Sequence, residues 1–332
     1  MDGIHSAAPL NQFTWQPGAP ADKPLPEPPS PEAFLVVEDG LDHMERMERV
    51  SLPSLPADEE VPAEPLEKPD VPPPALKRPV LMVHGYNSNE RKFKPLREYL
   101  TGGDSPVNKY GGLIKAGSRN RIDPQGNVFE IRFSERWNPV EKNSKELKEA
   151  IELICSKTGA REVDLVTHSM GGLDARYCLM EKGEKIHNLV MVSPPNHGAY
   201  GADVELRIRQ ELGVPLFPPT SNPDVIKSLN ELREVRVEEG MIINPFLARL
   251  NSEWPTQAKR ANVTIITGVG TPTLDHDTGI TRQGDDMVTE KSAHMDGADF
   301  LSVYGPMKDR HGKILSDPKI MLMVANALAS AD

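Results

Sequence analysis

The sequence predicts an α/β fold with a mostly parallel central sheet that is flanked by helices on both faces. Short, almost continuous apolar segments lie at residues 79–83, 163–167, 189–192 and 263–267, and segments with helical spacing alternate with them. A strand that is apolar on both sides needs cover on both faces, as the strands of a parallel sheet do. In such sheets ligand chemistry collects at the carboxyl ends of the strands.

The other elements follow from hydrophobic spacing in the same way. Residues 102–126, which are rich in glycine and basic side chains, predict a loop region. Residues 200–255 are largely helical in pattern and stand between two strands, so they are expected to overhang the carboxyl edge as a lid. The remaining predicted elements are strands at 128–133 and 300–304 and helices at 91–100, 139–157, 173–180 and 318–328.

Residues 1–77 are predicted to be an arm in front of an α/β domain at residues 78–332. Half of the 32 prolines lie in residues 1–78, with 15 acidic and 6 basic side chains, a net charge of −9. Because prolines remove backbone donors and like charges repel, most of this arm is expected to be extended or disordered. Residues 33–37 and 41–50 could add a strand and a short helix. A solvated spacer is favoured over a binding segment, and the sequence identifies no partner for the arm.

Charge and composition exclude several classes of protein. The formal net charge of −11 opposes nucleic-acid binding, which needs a basic face. No apolar run reaches the roughly 18 residues of a membrane span. The sequence starts without the basic and apolar regions of a secretory signal, so we expect a cytoplasmic protein, export by a non-Sec route, or a signal that was removed. Cys155 and Cys178 are expected to be free buried thiols, with a disulfide less favoured.

The candidate nucleophile is Ser169, in the segment Thr-His-Ser-Met-Gly at residues 167–171. A sharp strand-to-helix turn would hold this serine in a strained backbone and expose its hydroxyl above the sheet edge. The N–H of Met170 would then point at a developing oxyanion. The usual pattern is Gly-x-Ser-x-Gly, and Thr167 stands in place of the first glycine. On this turn alone, an incidental serine is as acceptable as a catalytic one.

A catalytic serine needs a base, and the fold places that base late in the chain. His311 follows the last predicted strand in a loop, at the carboxyl edge, and is favoured over His294, which precedes that strand. His84 and His168 are interpreted as structural, and His197 lies near the predicted site but outside the order serine, acid, histidine.

The acid that orients the base should follow the strand that ends at residue 267. Asp285 and Asp286 both satisfy this order, and Asp275 and Asp277 are earlier competitors. The two earlier aspartates flank a histidine, which is also the pattern of a weak cation site, but a polar loop is favoured because too few ligands are present. No metal and no cofactor are predicted.

A second oxyanion donor is expected from the loop after the first strand. Gly85 permits an unusual backbone turn there, so the N–H of Tyr86 can face the site together with that of Met170.

These residues resemble the bacterial lipases of the α/β-hydrolase fold, both the small Bacillus type and the Pseudomonas and Burkholderia type. The resemblance covers residues 79–332, and the Bacillus type also lacks the first glycine of the serine turn. The matching motifs are the oxyanion strand and loop at 80–86, the serine turn at 167–177, a Thr-Pro-x-x-Gly-like turn at 193–198, the acid motif at 285–288 and the histidine loop at 304–311.

The resemblance implies a serine hydrolase that cleaves carboxylic esters through an acyl-enzyme, a lipase or esterase acting on acyl lipids. It selects Asp285 over Asp286 and implies transient contact with a lipid interface through the lid. The arm, the missing signal and the unfamiliar lid leave substrate size, location and interfacial activation open. A phospholipase or polyester depolymerase with the same triad is the alternative, and an inert interaction protein is less favoured.

Overall fold

The computed structural model describes most of the chain from Lys68 onward. The expected strand at residues 33–37 and helix at residues 41–50 lie outside the described residues. The described ranges are residues 68–102, 107–181, 185–213, 222–305 and 309–330.

Seven parallel strands form the central sheet. The described strands in chain order are β1 Val80–Val83, β2 Tyr110–Lys115, β3 Val128–Arg132, β4 Val163–His168, β5 Ile186–Val192, β6 Val237–Glu238, β7 Met241–Ile242, β8 Asn262–Val269, β9 Thr273–Asp275, β10 Gly279–Thr281 and β11 Asp299–Tyr304. The strand order in the sheet is β11-β8-β5-β4-β1-β3-β2, and every neighbouring pair is parallel. The predicted fold class is therefore confirmed.

The helices surround this sheet and form the insertion between β5 and β8. In chain order they are α1 Lys94–Leu100, α2 Val140–Thr158, α3 Gly171–Met180, α4 Tyr200–Leu212, α5 Pro223–Leu232, α6 Pro245–Ser252, α7 Trp254–Gln257, α8 Glu290–Ala293, α9 Arg310–Lys313 and α10 Pro318–Ser330, and 3₁₀ turns lie at Glu90–Phe93 and Ile314–Ser316. None of the described helices combines the length and the apolar character that a membrane span requires.

The central strands are rich in apolar residues because both of their faces are buried, and β1 is apolar throughout. In β1, Leu81 and Val83 face one apolar core, which contains residues of α2 and α3, while Val80 and Met82 face another, which contains residues of α1 and α10. The two free cysteines lie buried in the first core. Each fully buried aliphatic side chain contributes about 1.5–3 kcal/mol, so these two cores are the main source of the sheet's stability.

The prediction of a loop throughout residues 102–126 was wrong, because Tyr110–Lys115 forms the edge strand β2. Its glycines fit the strand to its neighbour. A Cβ on Gly111 would lie 2.1 Å from the Phe129 ring, and Gly112 has a φ of +125° at a shift in the pairing register. The glycines that indicated a loop are therefore the ones that the strand needs.

Residues 68–77, the end of the predicted arm, contact the sheet domain. The Tyr99 hydroxyl of α1 donates to the Val71 carbonyl at 3.1 Å. Asn108 accepts from the Leu76 N–H at 2.9 Å and donates to the Pro74 carbonyl at 2.9 Å. This part of the arm is therefore ordered against α1 and the start of β2.

The insertion at residues 200–255 packs on α3 through an apolar cluster. Met170 and Leu173 contribute from the serine turn and α3, and Tyr86 lies at the edge of the cluster. The insertion contributes Ala202, Val225, Leu229, Leu232, Leu247 and Leu250. Its apolar inner surface therefore covers the segment that follows Ser169.

A buried arginine holds the end of the insertion to the core. Arg176 of α3 is fully buried, and its guanidinium donates to Gln257 at 3.0 Å, Asn196 at 2.9 Å and Asn251 at 2.8 Å. It also lies over the Trp254 ring, 5.1 Å from the centroid. Burial lowers the pKa of Arg176 to about 9. Polar partners from α6, α7 and the turn after β5 therefore replace the water that this cation loses.

Candidate active site

Ser169 lies at the carboxyl end of β4 in a left-handed backbone conformation. Its φ is +55°, a region that is costly for a residue with a side chain. Its N–H donates to the Val192 carbonyl of the neighbouring strand at 2.9 Å, and its carbonyl accepts from the Gly172 N–H at 2.9 Å. These bonds hold the strained turn, and the serine is part-exposed beside the fully buried strand β4.

Two glycines let the neighbouring loop pass close to this turn. A Cβ on Gly171 would lie 2.7 Å from the Val83 carbonyl oxygen, and one on Gly85 would lie 2.8 Å from the Cβ of Ser169. Thr167, in place of the usual first glycine, is fully buried within β4. Close packing in this turn therefore depends on the glycine after Ser169 and on Gly85 in the facing loop.

Replacing Gly85 with alanine is expected to lower both stability and any Ser169-dependent activity. The new methyl group would lie 2.8 Å from the His168 carbonyl oxygen as well as from Ser169, so the loop or the serine turn must move. Overpacking of this kind costs about 1–3 kcal/mol, measurable by urea unfolding. Gly201→Ala is the control, because a Cβ there would meet no described atom within 4 Å apart from its chain neighbours and the backbone of its own helix. Equal unfolding curves for Gly85→Ala and Gly201→Ala would contradict the expectation.

Asp285 and His311 form a buried hydrogen-bonded pair beyond the ends of β8 and β11. The Nδ1 of His311 donates to Oδ2 of Asp285 at 2.8 Å, and the His311 N–H donates to the Asp285 carbonyl at 2.8 Å. The other carboxylate oxygen accepts from the N–H groups of Val288 at 2.8 Å and Met287 at 3.2 Å. With Nδ1 engaged in this way, the Nε2 of His311 is the nitrogen left for chemistry.

Asp285 and His311 shift each other's pKa towards the charged form. Burial alone would raise the pKa of Asp285, but the charge and hydrogen bond of His311, the nearby Ser193 hydroxyl and the Val288 N–H outweigh it and lower that pKa. Burial alone would lower the pKa of His311, but the charge and hydrogen bond of Asp285, followed by the charge of Asp286, outweigh it and raise that pKa. The site therefore favours an imidazole that gains a proton.

Of the two aspartates that the sequence left open, Asp285 is the one bonded to His311. Asp286 has a φ of +84°, its N–H donates to the Thr273 hydroxyl at 2.9 Å, and its carboxyl is half-buried. Burial raises the pKa of Asp286 to about 6. Asp286 therefore acts on His311 through its charge.

The loop after β1 lies against the serine turn. An added Cβ on Gly85 would lie 3.1 Å from the Met170 nitrogen, so the backbones of the two predicted donor segments are in contact. His84 fixes this loop: its Nδ1 donates to the Gly85 carbonyl at 3.0 Å, and its Nε2 accepts from the Phe133 N–H at 3.4 Å. Among the residues that the structure describes, no acceptor is bonded to the Met170 N–H.

The other histidines have structural contacts. His168 is buried, its Nε2 donates to the His311 carbonyl at 3.0 Å, and the two rings lie 4.6 Å apart. His197 reaches the carbonyl of His294 at 3.1 Å, and His294 itself packs on Phe300 near the start of β11. His294 therefore lies towards the amino end of that strand, as the sequence indicated.

The competing aspartates close a hairpin turn. Asp275 accepts from the N–H of Asp277 at 3.1 Å and from the N–H and the hydroxyl of Thr278, each at 2.8 Å. Asp277 contacts His276 and Lys291 at the surface. Within the described ranges, no group of three or more acidic, histidine or cysteine side chains is placed to hold a metal ion.

Sequence reasoning missed Lys92, which lies in the 3₁₀ turn after the loop that follows β1. Its Nζ donates to the Gly312 carbonyl at 2.5 Å, one residue beyond His311. No motif marks this lysine. Its position, a few residues after the predicted oxyanion loop, is the one signal that the sequence offers.

The parallel sheet, its strand order and the helices on both faces give this chain the α/β-hydrolase fold. Residues 75–190 match the family described as alpha/beta hydrolase of unknown function (DUF915). The triacylglycerol lipase of Pseudomonas fragi is 30% identical over 125 residues, 38% of this chain and 37% of that protein. The triacylglycerol lipase of Burkholderia plantarii is 24% identical over 133 residues, 39% of this chain and 32% of that protein. The chain thus spans about a third of the curated relatives that it matches.

Solved structures agree on the fold. The mature lipase BlEst2 of Bacillus licheniformis superposes with a TM-score of 0.50 at 17% identity, covering 79% of this chain and 94% of that one. The phospholipase PlaB of Legionella pneumophila superposes with a TM-score of 0.50 at 14% identity, covering 77% of this chain and 60% of that one. The resemblance to bacterial lipases that the sequence indicated is confirmed.

Proposed function

We propose that this protein is a serine hydrolase that cleaves carboxylic esters, with Ser169 as nucleophile, His311 as general base and Asp285 as the acid that orients it. The observation that carries the proposal is the buried Asp285–His311 pair beyond the carboxyl edge of the same sheet that holds Ser169 in its strained turn. The similarity to triacylglycerol lipases over part of the chain supports it.

In the proposed reaction, Nε2 of His311 takes the proton from the Ser169 hydroxyl as the oxygen attacks the acyl carbonyl carbon. The carbonyl oxygen becomes an oxyanion that accepts from the N–H groups of Met170 and Tyr86. Collapse expels the alcohol, which takes the proton from His311, and leaves an acyl-enzyme on Ser169. Water, deprotonated by His311, then releases the carboxylic acid.

We infer that the acyl group comes from a lipid. The insertion at residues 200–255 presents an apolar inner surface beside Met170, on the segment that follows Ser169, as an acyl-binding lid would. Transient contact of this lid with a lipid interface belongs to the same proposal. The division into an arm at residues 1–77 and a catalytic domain at residues 78–332 remains a prediction.

A fluorophosphonate probe is expected to label the protein once, on Ser169. An activated serine attacks phosphorus, whereas an inert fold of the same shape does not react. Peptide mass spectrometry after labelling locates the adduct, and heat-denatured protein is the control. Failure to label, or an adduct on another serine such as Ser193, would contradict the proposed nucleophile.

The substrate class is tested in a separate experiment, after labelling has identified the nucleophile. Rates on triacylglycerols of increasing chain length, on phospholipids and on an aliphatic polyester would distinguish a lipase or esterase from the phospholipase and depolymerase alternatives. We expect the highest kcat/KM on triacylglycerols or simple acyl esters. A preference for phospholipids or polyesters would retain the triad but reject this substrate class.

A further inference from the structure

The main chain around His311 is held from three sides. Its N–H donates to the Asp285 carbonyl, and its own carbonyl accepts from His168 Nε2 at 3.0 Å. The carbonyl of the next residue, Gly312, accepts from Lys92 Nζ at 2.5 Å. Three segments that are distant in sequence, after β1, at the end of β4 and before α8, thus converge on this single turn of helix.

Lys92 belongs to the segment that continues from the loop beside Ser169. The 3₁₀ turn Glu90–Phe93 follows residues 84–86 closely, and Asn89 caps it by accepting from the Arg91 N–H at 3.0 Å. Phe93 in the same turn is fully buried in the core beside α1 and α10. The backbone that carries Lys92 is therefore fixed, and its half-buried side chain spans from the oxyanion loop to the histidine loop.

The charge of Lys92 is placed among carboxylates. Burial lowers the pKa of Lys92, while the charges of Asp309 and Asp286 oppose that shift. Among the described residues, the charged and titratable groups around His311 are Asp285 and Asp286 from the loop before α8, Asp309 from its own turn, His168 from β4 and Lys92. The Arg310 guanidinium contacts Asp317 and the Val303 carbonyl.

We propose that Lys92 is a positioning residue that sets the place of His311 relative to the oxyanion loop. The hydrogen bond to Gly312 sets the position, because a charged donor on a carbonyl is stronger than a neutral one. The ammonium charge counteracts Asp286, since a cation near an imidazole disfavours the imidazolium. This inference rests on the proposed function, in which His311 is the base.

The test compares Lys92→Met with Lys92→Arg. Lys92→Met is expected to lower kcat about tenfold, because a base displaced by a fraction of an ångström transfers protons poorly. The acid limb of kcat/KM should also move to higher pH, because loss of the cation raises the pKa of His311, which must be neutral to act as a base. Lys92→Arg retains a cationic donor. Its kcat should be close to that of the wild type, and the acid limb of its kcat/KM profile should lie at the wild-type pH.

Lys94→Met is the matched control, because Lys94 is 60% exposed, with Glu98 at 3.9 Å, and lies just after the same turn. It should leave kcat and the pH profile unchanged. A Lys92→Met profile that coincides with the wild type would overturn the proposal, as would a Lys92→Arg variant as impaired as Lys92→Met. The hydrolysis rates of the wild type and of Ser169→Ala are measured before any Lys92 variant. If the wild-type protein shows no Ser169-dependent hydrolysis, the proposed function itself fails.

Discussion

Replacing Ser169 with alanine is expected to lower kcat for ester hydrolysis by about 10⁶-fold. The nucleophilic oxygen is lost, while the oxyanion donors and the binding surface stay in place, so a small residual rate above the uncatalysed reaction should persist. The measurement is hydrolysis of a short p-nitrophenyl ester by purified protein, with circular dichroism to show that the fold is retained.

An exposed serine provides the matched control for that experiment. Ser156→Ala, on the surface of α2, removes a hydroxyl that bonds to the Leu153 carbonyl and should leave the rate unchanged. If Ser169→Ala retains full activity, the assignment of Ser169 as nucleophile and the proposed reaction are both wrong.

Asp285→Asn is expected to lower kcat by about 10⁴-fold. An asparagine oxygen can still accept from Nδ1 of His311, but its amide can also present an N–H there and stabilise the wrong tautomer of the imidazole. The imidazolium that forms during the reaction also loses its buried counter-charge. The measurement is the pH dependence of kcat/KM for the variant beside the wild type.

Asp286→Asn, a substitution at the adjacent residue, tests whether Asp286 affects His311 only through its charge, while Asp285 orients the imidazole. The Asp286 charge raises the pKa of His311, so its removal lowers that pKa. The acid limb of kcat/KM should then move to lower pH, with most of the plateau rate retained. If Asp286→Asn loses more activity than Asp285→Asn, the two assignments are reversed.

Hydrophobic pattern alone predicted most of the fold. The strands β1, β4, β5 and β8 are largely buried on both faces, so each is rich in apolar residues and is recognisable without context. The edge strand β2 was missed because only a partner explains its glycines. Gly111 makes room for Phe129, a contact between residues that are distant in sequence, and no local pattern contains that information.

In the candidate site too, contacts between residues that are distant in sequence could not be predicted from local patterns. Strand-end position and chain order indicated Ser169 and His311, because those rules depend on topology. Asp285 and Asp286 are adjacent and chemically identical, and what distinguishes them is the hydrogen bond between Nδ1 of His311 and the Asp285 carboxylate, which only the folded loop reveals. Lys92 was missed because a lysine in a polar turn is ordinary until its acceptor, Gly312, is located.

The hydrogen bonds of the buried Arg176 side chain hold one part of the insertion, α6 and the adjoining α7, to α3. Moving α6 and α7 off α3 would remove the partners that Asn251 and Gln257 provide and leave a cation without them in an apolar interior, at a cost of several kcal/mol. These two helices therefore stay fixed to α3. Among the described residues, none on α4 or α5 is hydrogen-bonded to the Arg176 side chain. If the proposed function holds, variants designed to change chain-length preference are therefore best placed on α4 and α5.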